Sequence, residues 1–334
     1  MAGYFGATAL NKINFGSTPI KNVYLGTTEL WARASTMYGK VAAVNYAQLA
    51  LSNDYFVSWT NHYNSEANMI SICFSEDRFF IGAAGKIITF KDGVFTTVFS
   101  LPSSTQSVAG IVANKKNIVA WYSSTTVVST DGGATWTVNN SAVSGILYNR
   151  NITFDGRKFV AVFSNGYVYT STNGIAWTNI SEVGSAWTQG IFYLNGRYYV
   201  SCSGNGYWKY STNLVTWKTC ANTIGETSDY SSTPYLDFIN GVYTAAFITP
   251  TYQPIGYSTD GVNWKIKTQN YPIGGLNWIS VNCGDRILII SSAFTASSGM
   301  SIWQTTNGID YTKITEGSPS NNSTTGRCIA YANE

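Results

Sequence analysis

The chain has 334 residues, of which only 11% are charged, and its net charge is +3; ordinary globular proteins carry roughly 25% charged residues. No Lys/Arg cluster stands out, so the sequence offers no electrostatic footprint for nucleic acid or a membrane surface. The single histidine, His62, and the five cysteines Cys73, Cys202, Cys220, Cys283 and Cys328, without a Cys-x-x-Cys pair, remove most zinc and triad chemistry and read as buried free thiols. No cofactor or metal is expected. A signal peptide and a membrane span are not expected either, because no basic-then-apolar leader and no long apolar run is present.

In chain order, the first feature is a duplication. Ile13-Asn14-Phe15-Gly16-Ser17-Thr18-Pro19-Ile20 and Val23-Tyr24-Leu25-Gly26-Thr27-Thr28-Glu29-Leu30 repeat one design, ending at Trp31. Each copy reads as a short strand, a Gly-Ser/Thr-Thr turn and a return strand. Two such pieces bury too little surface to stand alone and need a partner. Residues 1–35 are therefore expected to be a small β anchor module, and residues 36–334 a separate body. Residues 37–62 hold strand-like runs at Val41 to Asn45, Gln48 to Leu51 and Tyr55 to Thr60, with residues 52–58 resembling a hairpin turn.

From residue 90 onward a phrase recurs six times, with its Asx at Asp92, Asp131, Asn173, Asn213, Asp260 and Asn307. A period of roughly 40 to 50 residues signals a propeller or another repeat array. Asx followed by Gly supplies the positive φ angles of a tight turn, and a Ser or Thr two places earlier can bond the turn backbone. An aromatic returns after five copies, as Trp136, Trp177, Trp217, Trp264 and Tyr311, placed to fill the gap between neighbouring units. Upstream of each turn lies a second phrase, clearest in Phe154-Asp155-Gly156-Arg157 and Leu194-Asn195-Gly196-Arg197, which reads as a first hairpin. One unit is thus four strands A to D, for example at Ile191 to Leu194, Tyr198 to Cys202, Tyr207 to Tyr210 and Thr216 to Cys220. Val, Ile, Tyr, Phe and Thr dominate these runs, and no segment has a helical period.

The tail Arg327-Cys328-Ile329-Ala330-Tyr331 looks like another A strand. Joined to three N-terminal strands it makes a composite seventh blade that protects open sheet edges. The expectation is all-β: a β-propeller of four-stranded blades, seven in number with six as the alternative, preceded by the N-terminal anchor.

The recurrent turn resembles the Asp-box (bacterial neuraminidase) repeat, with full spacing only from Ser129 to Trp136 and with Leu214 replacing Gly in one copy. That resemblance implies structural turns, found in non-enzymes as well as sialidases. The segment Ile13 to Trp31 resembles the short N-terminal module of tailed-bacteriophage tail and tail-fibre proteins, sharing its glycines, threonines and terminal Trp. Together these resemblances imply a virion protein, assembled in the host cytoplasm and displayed on the tail. It would anchor to other tail proteins through Phe15, Tyr24, Leu25 and Trp31. The expected function is receptor binding to a host cell-surface protein or glycan, with a purely structural tail or decoration role as the alternative. No enzyme activity is expected; a glycosidase is the residual reading, on Glu182, Glu226, Asp229, Asp237 and Glu316 in or near D-to-A loops, because that chemistry needs two carboxyls facing one cleft.

A-to-B and C-to-D turns are short throughout, whereas the D-to-A and B-to-C connections carry the length variation. The latter include Trp187, Tyr230, Tyr235, Tyr252, Tyr271 and Trp278. Tyr and Trp among Ser, Thr and Asn make up a mixture typical of recognition loops, so these six are the candidate receptor-binding residues.

Overall fold

The computed structural model describes residues 14–15, 18–19, 22–25, 28–32, 39–123, 125–139, 151–184, 188–202, 208–222, 235–246, 255–267, 277–292, 301–316 and 328–332. Among them every regular element is a strand. One blade shows the pattern: strands A to D at Met69–Ser75, Arg78–Ala83, Lys86–Lys91 and Val94–Ser100 pair antiparallel in sequence order. This is blade 2. Blades 3 to 7 repeat it over residues 110–139, 152–182, 188–219, 235–267 and 277–316.

Blade 1 is composite. Cys328–Tyr331 supplies strand A, against Val41–Asn45, Gln48–Ser52 and Thr60–Tyr63 as B, C and D. The C-terminal strand lies antiparallel to the first, Cys328 opposite Val44 and Tyr331 opposite Val41. Two further backbone bonds, Gly39 N–H to Ala332 O and Ala332 N–H to Lys40 O, both 2.8 Å, extend the join. Each A strand touches the A strands of both flanking blades, and following these contacts from blade to blade returns to the start. The molecule is a closed seven-bladed β-propeller, as the repeat and the two chain ends predicted.

The core is divided among the seams. Successive strand residues point to opposite faces, and here each face meets a neighbouring blade, so inner strands read as continuous apolar runs. In Ile287-Leu288-Ile289-Ile290, Ile287 and Ile289 pack toward blade 6 while Leu288 and Ile290 pack toward blade 1. Seven hydrophobic clusters result, one per seam.

The recurrent C-to-D turn is held by its own side chains. In blade 3, Ser129 Oγ accepts the Gly133 N–H at 2.8 Å and donates to Asp131 Oδ1 at 2.8 Å. The Asp131 carboxylate accepts the Thr135 N–H and hydroxyl at 2.9 and 2.6 Å, and these bonds, the hydroxyl's first, lower its pKa to about 2. The shorter copies close one residue sooner: Gly174 N–H on Ser171 Oγ at 2.8 Å, with Ile175 and Ala176 N–H on Asn173 Oδ1 at 2.9 and 3.1 Å.

The following aromatic packs against the preceding blade in every copy. Trp136 meets Phe80 and Phe99, and Trp264 stands edge-on to Trp208 with centroids 4.5 Å apart. The Tyr311 hydroxyl lies 2.8 Å from Thr244 Oγ1. Three residues past the aromatic, another side chain reaches outward across the next seam: Asn139 Nδ2 donates to Ile175 O at 2.5 Å, and Lys267 pairs with Asp310.

Three details differ from the sequence reading. Residues 52–59 form a further copy of the Ser-anchored turn, so the expected strand from Tyr55 is a turn up to Trp59 and only Thr60 belongs to a strand. Ser52 Oγ accepts the Phe56 N–H at 2.8 Å, Asp54 Oδ1 accepts the Ser58 N–H at 2.8 Å, and Trp59 precedes strand D. Conversely, blade 2 lacks the Ser-anchored turn: Asp92 and Gly93, at φ +50° and +87°, make a plain two-residue hairpin, the geometry of a type I′ turn. Lastly, strand D of blade 5 is only Lys218–Thr219, because the chain then turns to bury Cys220 in the seam with blade 6. Ala221–Asn222 continues as a parallel addition to the outer strand of blade 6, Ala221 opposite Asn263 and Asn222 opposite Trp264.

The N-terminal duplicates each form a hairpin: Asn14–Phe15 with Thr18–Pro19, and Asn22–Leu25 with Thr28–Ala32.

Candidate functional site

The antiparallel order of the blades gives the ring two unlike faces. A-to-B and C-to-D turns share one, and B-to-C and D-to-A connections share the other. Chain direction puts Gly39 and Ala332 on the turn face, where strand B of blade 1 begins and its strand A ends.

On the opposite face, Trp187, Tyr230, Tyr252 and Tyr271 lie outside the described residues. Tyr235 and Trp278 lie within them, at the starts of the neighbouring A strands Tyr235–Ile239 and Asn277–Asn282, which touch. The structure therefore brings these two positions together at the inner rim of the long-loop face. The Tyr235 side chain is half-buried and packs against the seam of blades 7 and 1, so part of it is structural. Of the anchor candidates, Phe15, Tyr24, Leu25 and Trp31 all fall in hairpin strands.

Among the described residues, the three acids Glu182, Asp237 and Glu316 stand on separate blades. Asp237 is in the middle of innermost strand A of blade 6, opposite Thr244, whereas Glu182 and Glu316 end the outermost strands of blades 4 and 7. Glu226 and Asp229 fall outside the described residues. Asp237 is buried, with Ser280 Oγ donating to its carboxylate at 3.2 Å from the next blade. Burial raises its pKa to about 6, against the opposing pull of bonds from Asn282 and Ser280. Its carboxyl therefore exchanges a proton near pH 6 at the seam of blades 6 and 7, two residues into the strand that follows the D-to-A connection.

Two arginines of the A-to-B turns, Arg197 and Arg286, reach neighbouring blades. Arg197 donates to the Asp260 carbonyl, and Arg286 donates to Gln304 Oε1 at 2.8 Å while its guanidinium lies 4.0 Å from the Tyr55 ring centroid. Both ties cross or brace a seam. On the turn face a hollow of about 160 Å³ is lined by Lys40, Leu51, Ser52, Asn53, Ser58, Trp59 and Thr60. Among the described residues no group of three or more His, Cys, Asp or Glu is arranged to hold a metal.

No protein-family model matches the chain, and no curated protein matches it. Many solved structures match its shape. YCF48 bound to a D1 peptide is 11% identical, over 84% of this chain and 87% of that one, with a TM-score of 0.58. Virginiamycin B lyase from Staphylococcus aureus is 12% identical, over 75% and 85%, with a TM-score of 0.60. BamB from Moraxella catarrhalis is 12% identical, over 85% and 88%, with a TM-score of 0.53. The likeness is one of fold: the chain shares the propeller architecture with binding proteins and enzymes alike.

Proposed function

We propose that this protein is a virion tail component that contacts a host surface protein or glycan through the long-loop face of its propeller. The observation that carries the reading is the duplicated Gly-Ser/Thr-Thr hairpin ending at Trp31, which resembles the N-terminal module of tailed-phage tail and tail-fibre proteins. The Asp-box-like turns agree with a display scaffold. The polarity of the ring supports the same reading. The chain joins the ring at Gly39 on the turn face, so a tether through the preceding residues leaves the opposite face free. Tyr235 and Trp278 start strands on that face, and the sequence of its connections supplies Trp187, Tyr230, Tyr252 and Tyr271, residue types whose rigid amphipathic side chains suit protein contact or sugar stacking. YCF48, a propeller of similar fold, is seen with a bound peptide, a precedent for protein recognition on this architecture.

The test has two arms. Deleting residues 1–35 is expected to leave the propeller folded and abolish incorporation into particles. Replacing Tyr230, Tyr252 and Tyr271 together with Ala is expected to preserve folding and incorporation and abolish adsorption. Undiminished adsorption by the triple variant would move the contact elsewhere, and purified protein that fails to block adsorption would favour a purely structural tail role. New reducing ends released from host glycans would instead favour a glycosidase.

A further inference from the structure

The outer rim of the ring is uneven. The D strands of blades 1, 2 and 3, Thr60–Tyr63, Val94–Ser100 and Thr137–Asn139, contain no Asp, Glu, Lys or Arg. Those of blades 4 to 7 all do: Glu182, Lys218, Lys265 with Lys267, and Lys313 with Glu316. Charges on edge strands, lysine above all, discourage pairing with another chain. The edge of blade 6 is also covered by the parallel addition of Ala221–Asn222. Among the described residues the uncharged half has neither protection. Its middle strand, Val94–Ser100, spans 7 residues, Val-Phe-Thr-Thr-Val-Phe-Ser, and ends its sheet. Exposed apolar side chains lie on it and on both flanking blades: Val94 at 62%, Tyr63 at 62% and Val138 at 38% exposure.

We propose that this uncharged rim is a self-association surface, on which Val94–Ser100 of one copy pairs antiparallel with the same strand of a second copy. A two-fold contact requires a patch that complements itself. A neutral strand meets that condition, since no like charges face each other across the axis, whereas a charged partner finds no counter-charge on these strands. Strand polarity identifies the groups involved. The two-residue turn at Asp92-Gly93 closes on the Lys91–Val94 pair, so alternation turns the Thr96 backbone inward to Thr89. The N–H and C=O groups of Phe95 and Thr97 then point outward. Two copies joined here keep their long-loop faces free.

Sedimentation velocity of the full chain over a concentration series tests the assignment, together with hydrogen exchange at the Phe95 and Thr97 amides. The expected result is a concentration-dependent dimer in which association protects those two amides and dilution exposes them. Thr97→Pro removes an outward donor, and Thr97→Lys places charge on the edge without touching the ladder inside the blade. Each should weaken the dimer about tenfold or more, with the melting transition of the monomer retained, while Thr312→Lys on blade 7 should leave it intact. A chain that stays monomeric at the highest concentration overturns the proposal. So does association that both Thr97 variants leave unchanged, or association with the two amides exchanging freely.

Discussion

The seam between blades 7 and 1 and the seam between blades 3 and 4 use the same turn with opposite side chains. At the interior seam the turn runs Asn173-Gly174, with Gly174 at φ +77° and so close to its neighbour that a Cβ would sit 2.4 Å from Val119 Cγ2. At the closing seam Asp54 takes the place of Asn173 and Phe56 that of Gly174, with Tyr55 inserted between them; Tyr55 and Phe56 lie at φ +59° and +65°, and the Phe56 side chain is fully buried. Bulky residues in the left-handed region are strained, at a cost of order 1–3 kcal/mol each. They persist at the closing seam because Phe56 fills the space between blades and Tyr55 lies under the Arg286 guanidinium. Leu214, at φ +63° and buried between blades 4 and 5, makes the same exchange. The comparison separates two roles. Ser and Asx hold the turn, and the residue after them is chosen by how much room the preceding blade leaves.

The largest effects should come from emptying either kind of seam. Phe56→Ala and Trp264→Ala each remove a fully buried aromatic and should cost about 3–5 kcal/mol in chemical denaturation. Trp136→Ala should cost less, since that ring is half-buried. A smaller loss from Phe56→Ala than from Trp136→Ala would break the claim that the closing seam depends on it.

Next in size is a pH effect at the seam of blades 6 and 7. Asp237 has a folded pKa of about 6, above the unfolded value of 3.8. The site is therefore least costly below the unfolded pKa, and stability is lost as pH rises through about 6. Asp237→Asn should match the wild type near pH 4 and exceed it at pH 8 by as much as about 3 kcal/mol, each pKa unit being worth about 1.4. Melts at the two pH values decide it; an equal difference at both would remove the carboxyl from the account.

Smaller again are the turn anchors. Ser52→Ala and Ser171→Ala each leave a buried N–H, of Phe56 or Gly174, without its acceptor. Each should cost about 1–3 kcal/mol, and similar values in both seams would support a common turn. The smallest changes belong to the turn tips. Val57 and Val215 are exposed, and replacing either with Ser should shift stability by less than about 0.5 kcal/mol.

The fold was legible because the turn chemistry is local. Ser, Asx, Gly and the returning aromatic lie within a few residues of one another, so the repeat and the ring could be read before any contact was known. The turn at residues 52–59 was legible as a hairpin turn but not as a copy of the repeat, because Tyr55-Phe56 conceals a conformation that only the filled seam stabilises. The partial strand of blade 5 escaped for a related reason: the shift of Ala221–Asn222 onto blade 6 depends on Cys220 reaching a pocket built from Trp208 and Trp264. The candidate site was legible only as a composition of loops. That Tyr235 and Trp278 start adjacent strands, and that Asp237 is buried beside Ser280, follow from which blades are neighbours, a long-range fact.

The place where the chain joins the ring has a mechanical consequence. Val41–Asn45 lies between Cys328–Tyr331 and Gln48–Ser52, bonded antiparallel on both sides. A pull transmitted through the residues before Gly39 therefore acts along this strand and loads two ladders in shear together, where an edge strand would be unzipped one bond at a time. Failure under such a load requires both ladders to give way, so the non-covalent closure of the ring also bears tension.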